Sequence, residues 1–185
     1  PEVDAARAAL LARRADRVRP GLDDKVLTEW NGLMVATLAE AAAATGRADW
    51  RDAGVAAGEF LLGELLVDGR WRRSWQRDTG ARHAAVAADH GALVDAFTRL
   101  GECTGEARWL DAATATAHTL LHRFWDDDRG GLFTTAHDAE RLVARQKDVL
   151  DGATASASSV AALALQRLAA LTGEARFAAA ADVQL

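Results

Sequence analysis

Thr45-Gly46-Arg47-Ala48-Asp49-Trp50, Thr104-Gly105-Glu106-Ala107-Arg108-Trp109 and Thr172-Gly173-Glu174-Ala175-Arg176-Phe177 are one phrase written three times, Thr-Gly-x-Ala-x-aromatic, at spacings of 59 and 68 residues. Internal repeats outrank every other reading of a sequence, because each repeat is a unit that buries its apolar face only against its neighbours. Within the phrase, glycine takes the left-handed conformation that ends a helix, and the aromatic opens the packing of the next one. Each phrase therefore predicts the bend of a helical hairpin.

Counting back from each threonine aligns the preceding helices. Four positions before it stand Ala41, Leu100 and Leu168; seven before, Leu38, Phe97 and Leu165; eleven before, Met34, Leu93 and Ala161. These offsets keep helical phase and define one apolar face. Fourteen before stand Asn31, His90 and Ser158, polar residues that continue that face toward the helix start. Twenty-one before stand Asp24, His83 and Asp151. The helices after each bend are apolar too, through Val55, Phe60 and Leu65 in the first and Leu110, Leu120 and Phe124 in the second. Each then meets a breaker, Asp68-Gly69 or Asp128-Arg129-Gly130-Gly131, and a short aromatic stretch, Trp71 to Trp75 or Leu132 to Thr135, which predicts a turn and a short strand.

The expected fold is thus all-α: a leading helix over about 3–18, a Pro20-Gly21 break, and helix-pair units over about 22–80, 81–148 and 149–185. An open superhelix and a closed ring of hairpins, an α/α toroid, both fit. The ring is favoured, because units of some 60 residues exceed the 34 to 47 usual for open helical solenoids. Residues 1–185 would then be a single partial toroid domain. The sole methionine is Met34, so the chain does not begin at a start codon and reads as a piece of a longer protein.

Composition narrows the function classes. Alanine occurs 44 times and proline twice, which favours helix. The net charge of −5, with no basic stretch, argues against nucleic acid and anionic membrane as partners. No apolar run approaches the roughly 20 residues of a membrane span. A single cysteine, Cys103, excludes a disulfide framework and points to a reducing, cytoplasmic compartment. The five histidines form no metal-ligating motif, and there is no phosphate loop or nucleophile elbow, so no metal and no cofactor are expected.

Three segments carry candidate chemistry. Arg19 to Met34 holds Asp23, Asp24, Lys25, Glu29, Trp30 and Asn31, with Gly32 inside the helix, where a close neighbour would explain its helix-weakening presence. Ala88-Asp89-His90-Gly91 offers a carboxylate beside an imidazole whose ordinary pKa suits proton transfer. Arg145 to Ser159 gathers Lys147, Asp151, Thr154, Ser156 and Ser158. Asp24, Asp89, His90 and Asp151 are the catalytic candidates; Lys25, Trp30, Asn31, Trp75, Arg145, Lys147, Thr154, Ser156 and Ser158 are the candidates for binding substrate. In a ring, the inner-helix starts converge on one mouth, and helix N-termini hold carboxylates ionised. The competing reading is helix capping: Asp23 or Asp24 as an N-cap, and the hydroxyls and carboxylates of 148–159 as caps of the third unit. Trp50, Trp109 and Phe177 repeat in register and read as core.

Arg19 to Met34, Phe124-Trp-Asp with Gly130-Gly-Leu-Phe133, and Arg145-x-Lys-Asp-x-x-Asp-Gly-Ala-Thr154 resemble the thioredoxin-domain-containing proteins of the spermatogenesis-associated type. The resemblance implies an N-terminal thioredoxin-like domain followed by an α/α toroid of the six-hairpin glycosidase class, akin to N-acylglucosamine 2-epimerases, of which this chain would be the C-terminal part. The family pattern continues Pro-Ser-Gly-Asn-Ser after Thr154, where this chain reads Ala155-Ser156-Ala157-Ser158-Ser159. Two functions follow as expectations. One is a carbohydrate-binding or carbohydrate-processing domain, isomerase-, epimerase- or hydrolase-like, acting on a sugar or other polyol. The other is a non-catalytic scaffold. Its partners would be the rest of the toroid and the thioredoxin-like domain, and the isolated piece would expose an apolar edge and self-associate.

Overall fold

Three bends fix the architecture. Gly46, Gly105 and Gly173 have φ of 71, 72 and 73°, and each donates its backbone N–H to a carbonyl four residues back, that of Ala42, Gly101 or Ala169. The repeated phrase is therefore a helical hairpin turn, closed by the one residue type that takes this conformation without strain.

The computed structural model describes residues 2–141 and 143–184; Pro1, Leu142 and Leu185, which the expected unit boundaries include, lie outside the described residues. Helix α1 spans Glu2–Ala15, ends before the expected residue 18, and buries none of its residues. Strand β1 (Val26–Leu27) leads into α2 (Thr28–Thr45), and α3 (Ala48–Phe60) runs on into a π-helical turn, Leu61–Leu65. Strands β2 (Leu66–Val67), β3 (Arg70–Gln76) and β4 (Gly80–Ala84) follow, then helices α4 (Ala87–Thr104), α5 (Ala107–Arg123), α6 (Ala157–Thr172) and α7 (Ala175–Asp182). All strand pairs are antiparallel, with β1 and β4 flanking β3 through Val26–Trp75 and Trp75–Ala81. Asp68 and Gly69, both at positive φ, make the two-residue turn between β2 and β3. The second aromatic excursion is less regular, a single bridge between Trp125 and Leu132.

Helices α2, α4 and α6 pack side by side as an inner layer, and α3, α5 and α7 lie outside them. The inner helices approach closely. A Cβ built on Gly32 would stand 3.0 Å from the Ala92 backbone, and one on Gly91 would stand 3.3 Å from the Ala161 nitrogen. Gly32 thus costs α2 some intrinsic stability and is offset by the contact it permits. The core lies between the layers. Phe97 of α4 stacks on Trp109 of α5 at 5.8 Å and meets Trp71 of β3 at the same distance. Leu93, Leu100, Leu165, Leu168 and Phe177 are fully buried beside them. Trp50 departs from expectation: it is only half-buried, with the Arg47 guanidinium over its ring. Its outer helix α3 sits at the edge of the described array, so one flank has no neighbour to cover it. For the same reason Met34 is exposed, while α2 buries Val35, Ala36, Ala39 and Ala42 toward α4 instead.

Among the described residues no helix is long and apolar enough to cross a membrane, and no three His, Cys, Asp or Glu side chains gather as a metal cage would require.

Candidate functional site at the inner-helix N-termini

An α-helix begins with backbone N–H groups that no residue of its own can satisfy. At α2 and α4 the same side chain meets that need. Asp89, in the first turn of α4, accepts the N–H of Val86 at 2.8 Å and, with its other oxygen, the N–H of Glu29 at 3.1 Å. Arg73 of β3 lies 3.3 Å from the first oxygen and 3.8 Å from the Glu29 carboxylate. One carboxylate thereby caps its own helix and the neighbouring one, and an arginine from the sheet closes the triangle. Asp89 is 1% exposed; burial is the largest influence on it and pushes its carboxyl up to about 6, against the lowering by the Val86 N–H and the Arg73 charge.

Around this triangle the surface is open. Trp30, next to Glu29, is 64% exposed. Asp24 accepts a hydrogen bond from the Gln76 side chain at 2.9 Å, and Lys25 pairs with Asp23 at 3.1 Å. Neither Asp23 nor Asp24 caps α2. The helix starts at Thr28 because Val26 and Leu27 pair with Trp75 and Ser74 as a strand first. Thr28 anchors that start by donating to the Arg72 carbonyl at 2.6 Å. Asn31 turns back on its own helix and donates to the Leu27 carbonyl at 2.8 Å. Trp75 packs edge-on against Phe60 at 5.1 Å and donates to Glu64, so it belongs to the layer between β3 and α3.

His90 points elsewhere. Its ring is 4% exposed, lies 4.8 Å from the Phe124 ring at the end of α5, and bonds the Val86 carbonyl through Nδ1 at 2.8 Å. Burial lowers its pKa to about 4, so the imidazole is neutral at pH 7. The offset of fourteen explains this placement. It shares phase with Leu93 and Phe97, and that phase faces the outer helices, not the mouth.

The third segment caps α6. Ser156 is the N-cap and accepts the Ser159 N–H at 3.2 Å; Asp151 accepts the Ser156 N–H at 2.9 Å and the Ser159 hydroxyl at 2.8 Å; Asp148 accepts the Ala157 N–H at 3.0 Å. These bonds hold the Asp151 carboxyl below its usual range, the Ser156 N–H being the largest cause. Ser158 is buried, and Thr154 is exposed with its carbonyl accepting the Gly152 N–H. Lys147 pairs with Asp126 at 2.6 Å, and the Arg145 guanidinium lies 4.0 Å from the Phe133 ring centre and donates to the Thr135 carbonyl. These contacts tie the 130s loop to the segment before α6. The structure thus brings Glu29, Asp89 and Arg73 together at one end of α2 and α4, with Trp30 next to Glu29 in α2, sets Asp24 against Gln76 of β3, and gives Asp151, Ser156, Arg145 and Lys147 local structural contacts. Arg73 was not among the expected site residues; the strand alternation of Trp71, Arg73 and Trp75 was the signal that could have found it.

Comparison with known proteins places this geometry in context. No protein-family model matches the chain. It is 33% identical to spermatogenesis-associated protein 20 of Mus musculus over 93% of its length, and 33% identical to that of Homo sapiens over 89%. The chain spans about a quarter of these relatives, 24% and 22%. The motif resemblance therefore extends to similarity along nine-tenths of the chain. Among solved structures, cellobiose 2-epimerase from Spirochaeta thermophila superposes with a TM-score of 0.71 at 19% identity, over 89% of this chain and 43% of that one. Unsaturated glucuronyl hydrolase from Bacillus sp. GL1 gives 0.68 at 17% identity, over 90% and 48%. D-mannose isomerase gives 0.70 at 14% identity, over 87% and 41%. These likenesses show the fold: helical hairpins forming part of an α/α toroid.

Proposed function

We propose that this chain is the C-terminal toroid portion of a longer, thioredoxin-domain-containing protein, and that it binds a sugar or other polyol at the N-terminal ends of its inner helices. The observation that carries this reading is the Asp89 clamp: it fixes α2 against α4 and leaves Trp30 exposed and Glu29 and Arg73 partly open to solvent at their shared end. A sugar needs acceptors and donors for its hydroxyls and a flat apolar face for its C–H groups. Glu29 and Asp24 accept, Arg73 donates and Trp30 offers its ring. The names of the structural neighbours, an epimerase, a hydrolase and an isomerase of carbohydrates, support the same substrate class and the same reaction types.

Roles within the candidate set differ. Asp89 is sealed from solvent with both oxygens engaged, so it positions Glu29 and Arg73 and does not itself touch the ligand. Glu29 is the carboxylate placed to accept a proton or a hydroxyl.

The test is calorimetric titration of the full-length protein with cellobiose, D-mannose and a glucuronate-containing disaccharide. Trp30→Ala and Arg73→Ala should each weaken the best ligand by about tenfold or more, roughly 1.4 kcal/mol, with Trp30→Ala leaving the melting temperature unchanged. No binding of any of the three, or binding that both variants leave intact while Arg73→Ala only lowers the melting temperature, would leave the scaffold reading in its place.

A further inference from the structure

Among the described residues, α4 has an inner helix on both sides, whereas α2 and α6 each keep one open flank. We propose that these two flanks fit one another, so that α2 of one copy packs against α6 of a second copy and two chains close one ring.

The repeat shows what belongs on the open flank of α2. Residues at equal distances before the threonine of each bend hold equal places on their helices. Eleven before, Leu93 and Ala161 are fully buried; eight before, Ala96 and Ala164 are too. Their counterparts in α2 are Met34, 57% exposed, and Thr37, also exposed. A helix of this kind therefore buries that stripe when another hairpin precedes it in the ring, and α2 has none before it. Helix α1 does not fill the place, since it buries none of its residues.

The far flank of α6 is the other half of the pair. Nine and six before the threonine, α2 buries Ala36 and Ala39 toward α4, and α4 buries Thr98. In α6 the same places hold Leu163, 65% exposed, and Gln166, exposed as well. No charged side chain stands in either open row, so nothing in them opposes contact. The register carries over. Gly32 of α2 lies against Ala92 of α4, and Gly91 of α4 lies against Ala161 of α6. Continued one turn along, that pairing sets Leu163 of one copy beside Thr37 of the other.

The extent of the chain selects the occupant. Helices α2 to α7 make three hairpins, and the chain spans less than half of each toroid enzyme on which it superposes. A second copy supplies as many hairpins again. Each copy offers one flank of each kind, so twofold symmetry closes the pair with no flank left over. Trp30 heads the open stripe of α2, so the second copy stands beside the candidate sugar site. Closure needs only the partial-ring fold and holds whether or not a sugar binds.

The experiment is analytical ultracentrifugation of the 185-residue chain at micromolar concentration, with circular dichroism to follow helix content. The unmodified chain should sediment as a dimer. Thr37→Glu and Leu163→Lys each place a charge in both junctions and should weaken the dimer at least about tenfold. Helix content should not change, because both residues are exposed in the single copy. An equimolar mixture of the two variants has one natural junction and one with opposite charges, and should recover the dimer. A chain that stays monomeric overturns the proposal. So does an assembly indifferent to both substitutions, or a pair of variants that remain apart on mixing.

Discussion

Asp89 and His90 are neighbours in sequence, buried, and shifted in opposite directions, and that pairing makes a sharp prediction. Burial raises the Asp89 carboxyl from 3.8 to about 6, so between those values the folded chain holds a proton that the unfolded chain releases. At about 1.4 kcal/mol per pKa unit, stability falls by about 3 kcal/mol as pH rises through that window. Burial lowers His90 from 6.5 to about 4, so between those values the unfolded chain takes up a proton that the folded chain refuses. Stability therefore rises by about 3 kcal/mol as pH rises through nearly the same window. The two slopes cancel in the natural sequence. Asp89→Asn removes one of them. Relative to the unmodified protein, that variant should gain stability steadily from pH 4 to about 6.5, reaching about 3 kcal/mol. His90→Phe should show the opposite relative slope over the same range. Urea unfolding followed by tryptophan fluorescence at stepped pH measures both, and taking differences from the unmodified protein removes every other titrating group. A difference that stays flat within about 0.5 kcal/mol across the window would refute the argument that burial dominates at these two positions.

The remaining predictions concern packing and caps. Gly32→Ala should destabilise by about 1–3 kcal/mol despite alanine's better helix propensity, because its Cβ meets the Ala92 backbone; Gly63→Ala, with nothing within 4 Å, should be neutral or mildly stabilising in the same melting experiment. Ser156→Ala should cost about 1 kcal/mol by removing the N-cap of α6 and should leave sugar binding untouched, as should Asp151→Ala with a small fall in melting temperature. Gly105→Ala forces a Cβ into φ 72° and should cost about 1–2 kcal/mol, seen as a lower urea midpoint.

How much of this was legible beforehand depends on range. The repeated phrase gave all three hairpin bends, since a helix end is set by residues within one turn of it, and Gly46, Gly105 and Gly173 carry that information alone. The need for a close neighbour at Gly32 was readable in the same way, though not that Ala92 would be that neighbour. The polar positions were visible as polar, and their capping alternative was legible at Ser156 and Asp151, where donor and acceptor lie within eight residues.

What the sequence could not supply was direction. Helical phase groups Asn31, His90 and Ser158 on one face, but a helix packed on several sides has more than one buried face, and periodicity does not say which looks toward the mouth. Tertiary packing turned His90 to the outer layer, left Met34 in the open, and let a strand of two residues delay the start of α2. It also decided that the N–H of Glu29 would be satisfied by a carboxylate 60 residues away, and that Arg73 would complete the cluster. Local hydrogen bonds and backbone preferences belong to short stretches of chain and can be read there. The partner of a buried charge is chosen by whichever distant segment the fold presses against it.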